Sequence, residues 1–326
     1  MRYPASEKLE IIRLVERSSR PAKWTLDKLD IPKSTFYRWY DRYLEGGADA
    51  LADRAPMPRV VWHRIPDTIR HELLNMALEH SELSPRELAV RFTDTQGYFV
   101  SESSVYRLLK SHDLITSPAF IVMKAASEFK DKTIAINQMW QTDFTYFKIV
   151  GWGWMYLSTV LDDFSRYIIS WKLCTTMKTS DVTDTLNMAL VASGCDKANV
   201  VHKPRLLSDN GASYISGELA DYIKDNRMSH VRGAPYHPQT QGKIERWHQT
   251  LKNRILLENY FLPGDLECQI ESFVEHYNHD RYHESLNNVT PADVYFGRAQ
   301  SILNRRERIK KQTIEHRRLQ YRKAVA

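Results

Sequence analysis

The stretch MWQTDFTYFKIV, residues Met139–Val150, decides the fold of this 326-residue chain. Most of its residues are aromatic or β-branched, which favours an extended strand, and Gly151 and Gly153 favour a turn directly after it. Two further segments of the same character follow at Trp154–Leu161 and Tyr167–Leu173. Three strands this close together along the chain predict an antiparallel meander.

The segments after the meander alternate between helix and strand. They are a helix at 180–193, a short buried strand at Arg205–Ser208, a helix at 216–226 and an edge strand at Ser229–Arg232. Ser180 and Ser216 are the expected N-caps of these two helices, and Ser6 is the expected N-cap of a helix at residues 6–17 near the start of the chain. The whole region therefore predicts an α/β domain with a mixed five-stranded sheet, which we place at residues 136–297.

The N-terminal part of the chain is predicted to be all-α, with two helix-turn-helix units at residues 1–55 and 64–113. Each unit contains three segments with helical periodicity, and Ser84-Pro-Arg-Glu87 is a capping box with proline at the first helical position. In a helix-turn-helix the last helix presents polar side chains to the DNA major groove. The candidate DNA contacts are Lys33, Ser34, Thr35 and Arg38 in the first unit and Ser103, Ser104 and Arg107 in the second. An ordinary three-helix unit without DNA contact is the alternative.

Residues 114–135 are less regular and are interpreted as a connector.

Composition and charge narrow the class of protein. The formal net charge is +6, and 26% of residues are charged. Residues Arg298–Lys323 contain ten Lys and Arg but two Glu, a net charge of about +8, so the rest of the chain is close to neutral. We expect this tail (residues 298–326) to be either helical or disordered until it meets a partner. Clustered positive charge indicates contact with a nucleic acid or another polyanion. No apolar run approaches the roughly 20 residues of a membrane helix, no secretory signal pattern opens the chain, and the three cysteines are far apart. We therefore expect a soluble protein of a reducing compartment.

Three acidic residues stand out in the predicted α/β domain. Asp143 lies within the first strand, Asp209 at the carboxyl end of the fourth, and Glu245 in a predicted helix that also carries Lys252. Taken singly, Asp209 could be only a turn residue, and Glu245 and Lys252 could be a solvated helix face. Together the three carboxylates would form an oxygen-rich site suited to hard divalent cations.

Four motifs then carry a resemblance to a known family. They are Thr142-Asp143-Phe-Thr-Tyr, Val160-Leu-Asp-Asp-Phe-Ser-Arg166, Ser208-Asp209-Asn-Gly211 and His237-Pro-Gln-Thr-Gln-Gly-Lys-Ile-Glu245. In these motifs and in the 35 residues between Asp209 and Glu245, the chain resembles retroviral-type integrases and bacterial insertion-sequence transposases, the D,D-35-E superfamily. The resemblance covers about residues 136–300.

The resemblance implies an RNase H-like fold, a site for two Mg²⁺ ions in which Mn²⁺ can substitute, and double-stranded DNA as substrate. Asp143 would bridge both ions, Asp209 would bind one and Glu245 the other. Lys252 matches a family position that contacts the phosphate near the reacting DNA end, and His237, Gln239 and Lys243 would contact DNA from the loop before that helix. A homo-oligomer on DNA is also implied. Asp162 and Asp163 are interpreted as structural.

The chain departs from retroviral integrases at its N-terminus, where no cysteine precedes Cys174 and so no His/Cys zinc module is expected. That favours the bacterial transposase branch, whose N-terminal domains recognise terminal inverted repeats, and hence a bacterial cytoplasm with the nucleoid as the place of action. His276, His279 and His283 have helical spacing, but their neighbours favour packing or DNA contact over zinc. Two other functions stay open, a DNA-binding regulator with a disabled core and a metal nuclease without strand transfer.

Overall fold

The structure is a computed structural model that describes residues 3–18, 20–52, 64–115, 133–197, 200, 202–232 and 241–325. Its contacts divide the chain into two compact units. One contains residues 1–62 together with 321–326, and the other contains residues 63–320. Within the described residues, no helix is both long and apolar enough to cross a membrane.

The first unit contains three helices, α1 (Ala5–Arg17), α2 (Ala22–Lys28) and α3 (Lys33–Gly46). They pack around the buried side chains of Ile12, Leu26, Ile31, Phe36, Trp39 and Leu51. The third helix begins at Lys33, where the sequence predicts the start of a recognition helix.

The second unit opens with a further three-helix group, α4 (Asp67–Glu79), α5 (Pro85–Gln96) and α6 (Glu102–Ser111). The predicted capping box is confirmed, because the Ser84 hydroxyl accepts from the Glu87 amide and the Glu87 carboxylate accepts from the Ser84 amide. Gly97 ends α5 with a left-handed φ of 62°, a conformation that glycine adopts without steric cost. Phe92, Val105 and Leu88 are among the side chains that fill this core.

The predicted mixed sheet is confirmed, with five strands in the described residues: β1 (Met139–Ile149), β2 (Gly153–Asp162), β3 (Ile168–Cys174), β4 (Arg205–Ser208) and β5 (Ser229–Arg232). Their spatial order is β3-β2-β1-β4-β5. β1, β2 and β3 form the antiparallel meander, whereas β4 pairs parallel to β1 and β5 parallel to β4.

Helices cover both faces of the sheet because successive side chains of a strand point to opposite sides. On one face, Trp140 of β1 packs in a cluster with side chains of α7 (Thr179–Ser193) and α8 (Gly217–Asp225). On the other face, Phe147 and Ile149 pack with α9 (Gly242–Ile255) and α10 (Pro263–His279). The sheet thereby fixes α9, which carries Glu245, to the strand that carries Asp143.

Two of the predicted N-caps are wrong, and one is confirmed. Ser6 lies inside α1, whose N-cap is Pro4, and Ser180 lies inside α7, whose N-cap is Lys178. In both helices the N-cap lies two residues before the predicted serine, at a residue with extended backbone dihedrals. Ser216 caps α8 as predicted, its hydroxyl accepting from the Leu219 amide.

The chain closes with α11 (Pro291–Tyr295) and α12 (Ala299–Val325). The basic tail is therefore helical, one of the two states that its sequence allowed. Arg306 of α12 bonds to Asp94 of α5, and Arg317 donates to the Tyr98 hydroxyl and the Phe99 carbonyl. These contacts join α12 to the second three-helix group through part of the tail's positive charge.

A candidate active site at the end of the sheet

The parallel pairing of β1 with β4 brings two of the three acids to neighbouring positions. Met139 pairs with Arg205 and Gln141 with Leu207, and the same offset aligns Asp143 with Asp209, just beyond the last paired residues. Adjacent strands lie about 4.8 Å apart, so Asp143, within β1, lies beside Asp209, which directly follows β4. Glu245 lies in the first turn of α9, the helix that packs against β1.

The electrostatics show that the three acids share one neighbourhood. Partial burial raises the pKa of Asp209, the Asp143 charge raises it further, and a hydrogen bond from the Gly211 amide opposes the shift. Partial burial also raises the pKa of Glu245, again with the Asp143 charge adding to the rise and His248 opposing it. Asp143 is thus the common neighbour of the other two, and a cation between them would relieve this repulsion.

Gly211 shapes the site because its amide approaches the Asp209 side chain closely. The amide donates a 2.8 Å hydrogen bond to Asp209 Oδ1. A Cβ atom at residue 211 would lie 3.0 Å from that same oxygen. The glycine in the Asp-Asn-Gly sequence therefore leaves room for this contact, which orients the carboxylate.

Asp143 has two contacts of its own. Its Oδ1 accepts a 2.8 Å hydrogen bond from the Phe144 amide, and its Oδ2 lies 3.5 Å from Nδ1 of His248. His248 is a buried residue of α9 that the sequence interpretation missed. It lies three residues after Glu245, and residues at this spacing share one helix face, which was the available signal.

The donor chemistry of the three acids fits a hard divalent cation, which binds through carboxylate oxygens and water. The described residues nevertheless contain no group of three or more His, Cys, Asp or Glu side chains placed to hold a metal ion.

The predicted DNA contacts of this region have different surroundings. Lys252 of α9 places its ammonium group 4.4 Å from the centre of the Tyr146 ring, and its side chain is half-buried. Lys243 lies within α9, and its ammonium group is 2.7 Å from the Asp163 carboxylate; its contact with DNA stays a prediction. The expected contacts at His237 and Gln239 lie outside the described residues.

Asp162 and Asp163 have contacts that agree with their structural interpretation. Both are buried, and Asp162 accepts hydrogen bonds from the amides of Ser165 and Asn137. Burial raises the pKa of Asp162, while these hydrogen bonds oppose the rise. The carboxylate thereby fixes the turn after β2.

The candidate recognition-helix residues lie at the starts of α3 and α6. Lys33, Ser34 and Arg38 are exposed and Thr35 is half-buried. In α6, Ser103 and Arg107 are exposed, Ser104 is half-buried, and the Arg107 guanidinium donates to the Ser103 carbonyl. Their contact with DNA stays a prediction.

Comparison with known families agrees with this architecture. Two family models described as integrase core domains match residues 135–238 and 226–291. A homeodomain-like domain model matches residues 35–109, and a helix-turn-helix domain model matches residues 7–59. The matches thus cover both the α-helical N-terminal part and the sheet that carries the three acids.

Individual transposases and retroviral polyproteins are also similar in sequence to part of this chain. The transposase for insertion sequence element IS629 of Shigella sonnei is 26% identical over 159 residues, which are 48% of this chain and 51% of that protein. The Gag-Pro-Pol polyprotein of squirrel monkey retrovirus is 32% identical over 120 residues, 36% of this chain and 6% of that protein. The chain therefore spans about half of the transposase and a small part of the polyprotein.

Solved structures of integrases are also similar to part of this chain. The HTLV-2 integrase catalytic core domain in complex with magnesium is 20% identical, with a TM-score of 0.39, and the match covers 50% of this chain and 98% of that one. The assignment rests instead on the family models and on the sequence relatives. The chain therefore contains an integrase core domain at residues 135–291, preceded by helix-turn-helix domains, and it is similar in sequence to insertion-sequence transposases and retroviral integrases.

Proposed function

We propose that this protein is a DNA transposase that binds the terminal inverted repeats of an insertion sequence, cleaves their 3′ ends and joins them to target DNA. The observation that carries this proposal is the β1–β4 register, which aligns Asp143 with Asp209, together with Glu245 in the first turn of the helix that packs on β1. The helix-turn-helix domains that precede the sheet favour a DNA substrate.

In the proposed site, Asp143, Asp209 and Glu245 would hold two Mg²⁺ ions, for which Mn²⁺ could substitute. When bound, such ions activate a water or a 3′-hydroxyl and stabilise the leaving oxygen of a phosphodiester. Lys252, on the same helix as Glu245, would bind a phosphate near the reacting end. Phosphate contacts of the helix-turn-helix units would set the register on DNA, and the recognition helices would read bases. No covalent protein–DNA intermediate is required.

The proposal extends to assembly and location. Two ends of an element must be held together for joining, so the active form would be a homo-oligomer on DNA. We place it in the bacterial cytoplasm, at the nucleoid, where its DNA substrate lies.

The test combines the purified protein, Mg²⁺, labelled end DNA and a target plasmid. We expect 3′ cleavage followed by joined product. We expect Asp143→Asn to lower both by a factor of about 10²–10³ while end binding persists, which is the size of effect when one group that stabilises the transition state is removed. Asp221→Asn, an exposed acid of α8, is the matched control. Joining at the wild-type rate by Asp143→Asn would show that the assigned site is wrong.

Two outcomes would favour the other functions. Binding of end DNA without cleavage would indicate a regulator with a disabled core. Cleavage without joined product would indicate a metal nuclease.

A further inference from the structure

Asp163, directly after β2, accepts hydrogen bonds on both oxygens. Its Oδ2 lies 2.7 Å from Nζ of Lys243 and 2.6 Å from the Thr133 hydroxyl, and its Oδ1 accepts from Nε2 of Gln141 at 2.7 Å. Nζ of Lys243 also donates to the Asp163 carbonyl at 2.7 Å. Lys243 is therefore oriented by two oxygen atoms of one buried residue, 80 positions away in the chain.

Gln141 extends this network to the start of α9. Its side-chain oxygen accepts a 3.1 Å hydrogen bond from the Ile244 amide, and its side chain is 1% exposed. The first amides of a helix have no partner within the helix, so this contact satisfies one of them. Gln141 lies two residues before Asp143 on the same strand face, and Ile244 directly precedes Glu245.

Gln241 adds a second connection from the residue just before α9. Its buried side-chain amide is 3.3 Å from the Thr142 carbonyl and 3.5 Å from the Leu207 carbonyl. Thr142 directly precedes Asp143, and Leu207 lies two residues before Asp209. One side chain thus bridges the strands that carry both aspartates.

Stability alone is a poor explanation for such a network. Taking Lys243 and Asp163 out of water costs free energy, and burial lowers the pKa of Lys243 even though Asp163 opposes the shift. Apolar residues of similar volume often stabilise a fold as well as a buried ion pair does. What polar contacts add is direction, because hydrogen bonds fix distance and angle.

We propose that Gln141, Asp163, Lys243 and Gln241 form a polar clamp that positions the first turn of α9, and with it Glu245, relative to Asp143 and Asp209. Lys243 is then a positioning residue and not a DNA contact. The clamp deepens the proposed function, on which its catalytic consequences rest. Its structural consequence, an ordered start of α9, does not depend on that function.

Two variants separate the alternatives for Lys243. Lys243→Met keeps the aliphatic stem and removes the charge, and Asp163→Leu/Lys243→Met removes both charges, so no unpaired charge stays buried. Lys224→Met, an exposed lysine of α8 on the opposite side of the sheet, is the matched control. Thermal unfolding identifies the variants that are folded at the assay temperature.

The first measurement is amide hydrogen exchange of the full chain without DNA or metal. We expect the amides of residues 241–248 to exchange at least about tenfold faster in the double variant than in the wild type, because this turn opens more often without the clamp. Exchange of the β1 amides should be unchanged. Exchange at the wild-type rate in this segment would overturn the clamp, whatever the protein does to DNA.

The second measurement compares DNA affinity, Mn²⁺ affinity and cleavage. For the clamp, we expect both variants to bind Mn²⁺ about tenfold more weakly in calorimetry and to cleave at least tenfold more slowly at saturating DNA, since residues that orient metal ligands carry effects of this size. The DNA affinity and the salt slope of both variants should stay within twofold of the wild-type values.

The opposite result would reject the proposal. Weaker DNA binding with a salt slope reduced by about one, and normal cleavage at saturating DNA, would show that Lys243 contacts a phosphate. If residues 241–248 of the wild-type protein are protected from exchange but the protein neither cleaves nor joins DNA, the proposed function is wrong and the clamp is not.

Discussion

Arg306 of α12 binds the carboxylate of Asp94 of α5 through two nitrogens, Nε at 2.8 Å from Oδ1 and Nη2 at 2.6 Å from Oδ2. The two side chains are 14% and 23% exposed. Arg306 also donates to the Asn288 carbonyl. A two-pronged ion pair of this kind is stronger and more directional than a single contact, so α12 is fixed to the second three-helix group.

Removal of this pair should destabilise the second unit. We expect Arg306→Ala to lower the free energy of unfolding by about 1–3 kcal/mol, because it leaves the half-buried Asp94 without its cation. Arg308→Ala, an exposed arginine of the same helix, should change it by less than about 0.5 kcal/mol. Urea unfolding measures the free energy of unfolding of the wild type and both variants. Equal values for Arg306→Ala and the wild type would show that the ion pair does not stabilise the fold.

His283 should make the protein sensitive to acid. Burial lowers the pKa of His283 to about 3, and Arg281, Arg166, Arg86 and Arg246 add to the shift. The unfolded chain, with an ordinary histidine pKa near 6.5, therefore binds a proton that the folded state does not between about pH 6.5 and pH 3. Stability contributed by the neutral ring is present above pH 6.5 and is lost as the pH falls towards 3.

We expect His283→Gln to reduce this loss by up to roughly 1.4 kcal/mol per pH unit, the limit for one proton. Urea unfolding at several pH values between 7 and 4 measures it. His276→Gln, with a side chain 53% exposed, is the control and should follow the wild type. Parallel curves for wild type and His283→Gln would contradict a buried neutral ring.

Lys252 should contribute to DNA affinity through charge. We expect Lys252→Ala to weaken binding of end DNA several-fold at about 0.1 M salt and to reduce the salt slope by about one, as for the loss of one phosphate contact. Lys224→Ala on α8 provides the control. A fluorescence anisotropy titration at three salt concentrations is sufficient, and an unchanged slope would assign Lys252 to its contact with Tyr146 alone.

Arg38 should contribute to sequence discrimination. It is exposed on α3, five residues after the start of the predicted recognition helix. We expect Arg38→Ala to weaken binding to the inverted repeat by about 1–3 kcal/mol and to relax specificity at one base pair. Arg13→Ala, exposed on α1, is the control. An equal loss on unrelated DNA would indicate that Arg38 contacts a phosphate.

Local patterns predicted most of the secondary structure because they act over a few residues. The strand from Arg205 to Ser208 and the capping box at Ser84 agree with the structure residue for residue. The failures at Ser6 and Ser180 are also local, since the ends of helices are the least certain part of any prediction from pattern, to within a few residues.

The sequence by itself determined the order of helices and strands and the mixed sheet, because periodicity and turn residues are properties of neighbouring residues. It also singled out Asp143, Asp209 and Glu245 through the resemblance of four motifs, and their catalytic role stays a prediction. Only the tertiary structure decided the partners of Lys243, His248 and Arg306. Their partners lie 80, 105 and 212 residues away in the chain. Pairing across such distances depends on strand register and on how helices pack against the sheet, and no local pattern encodes either.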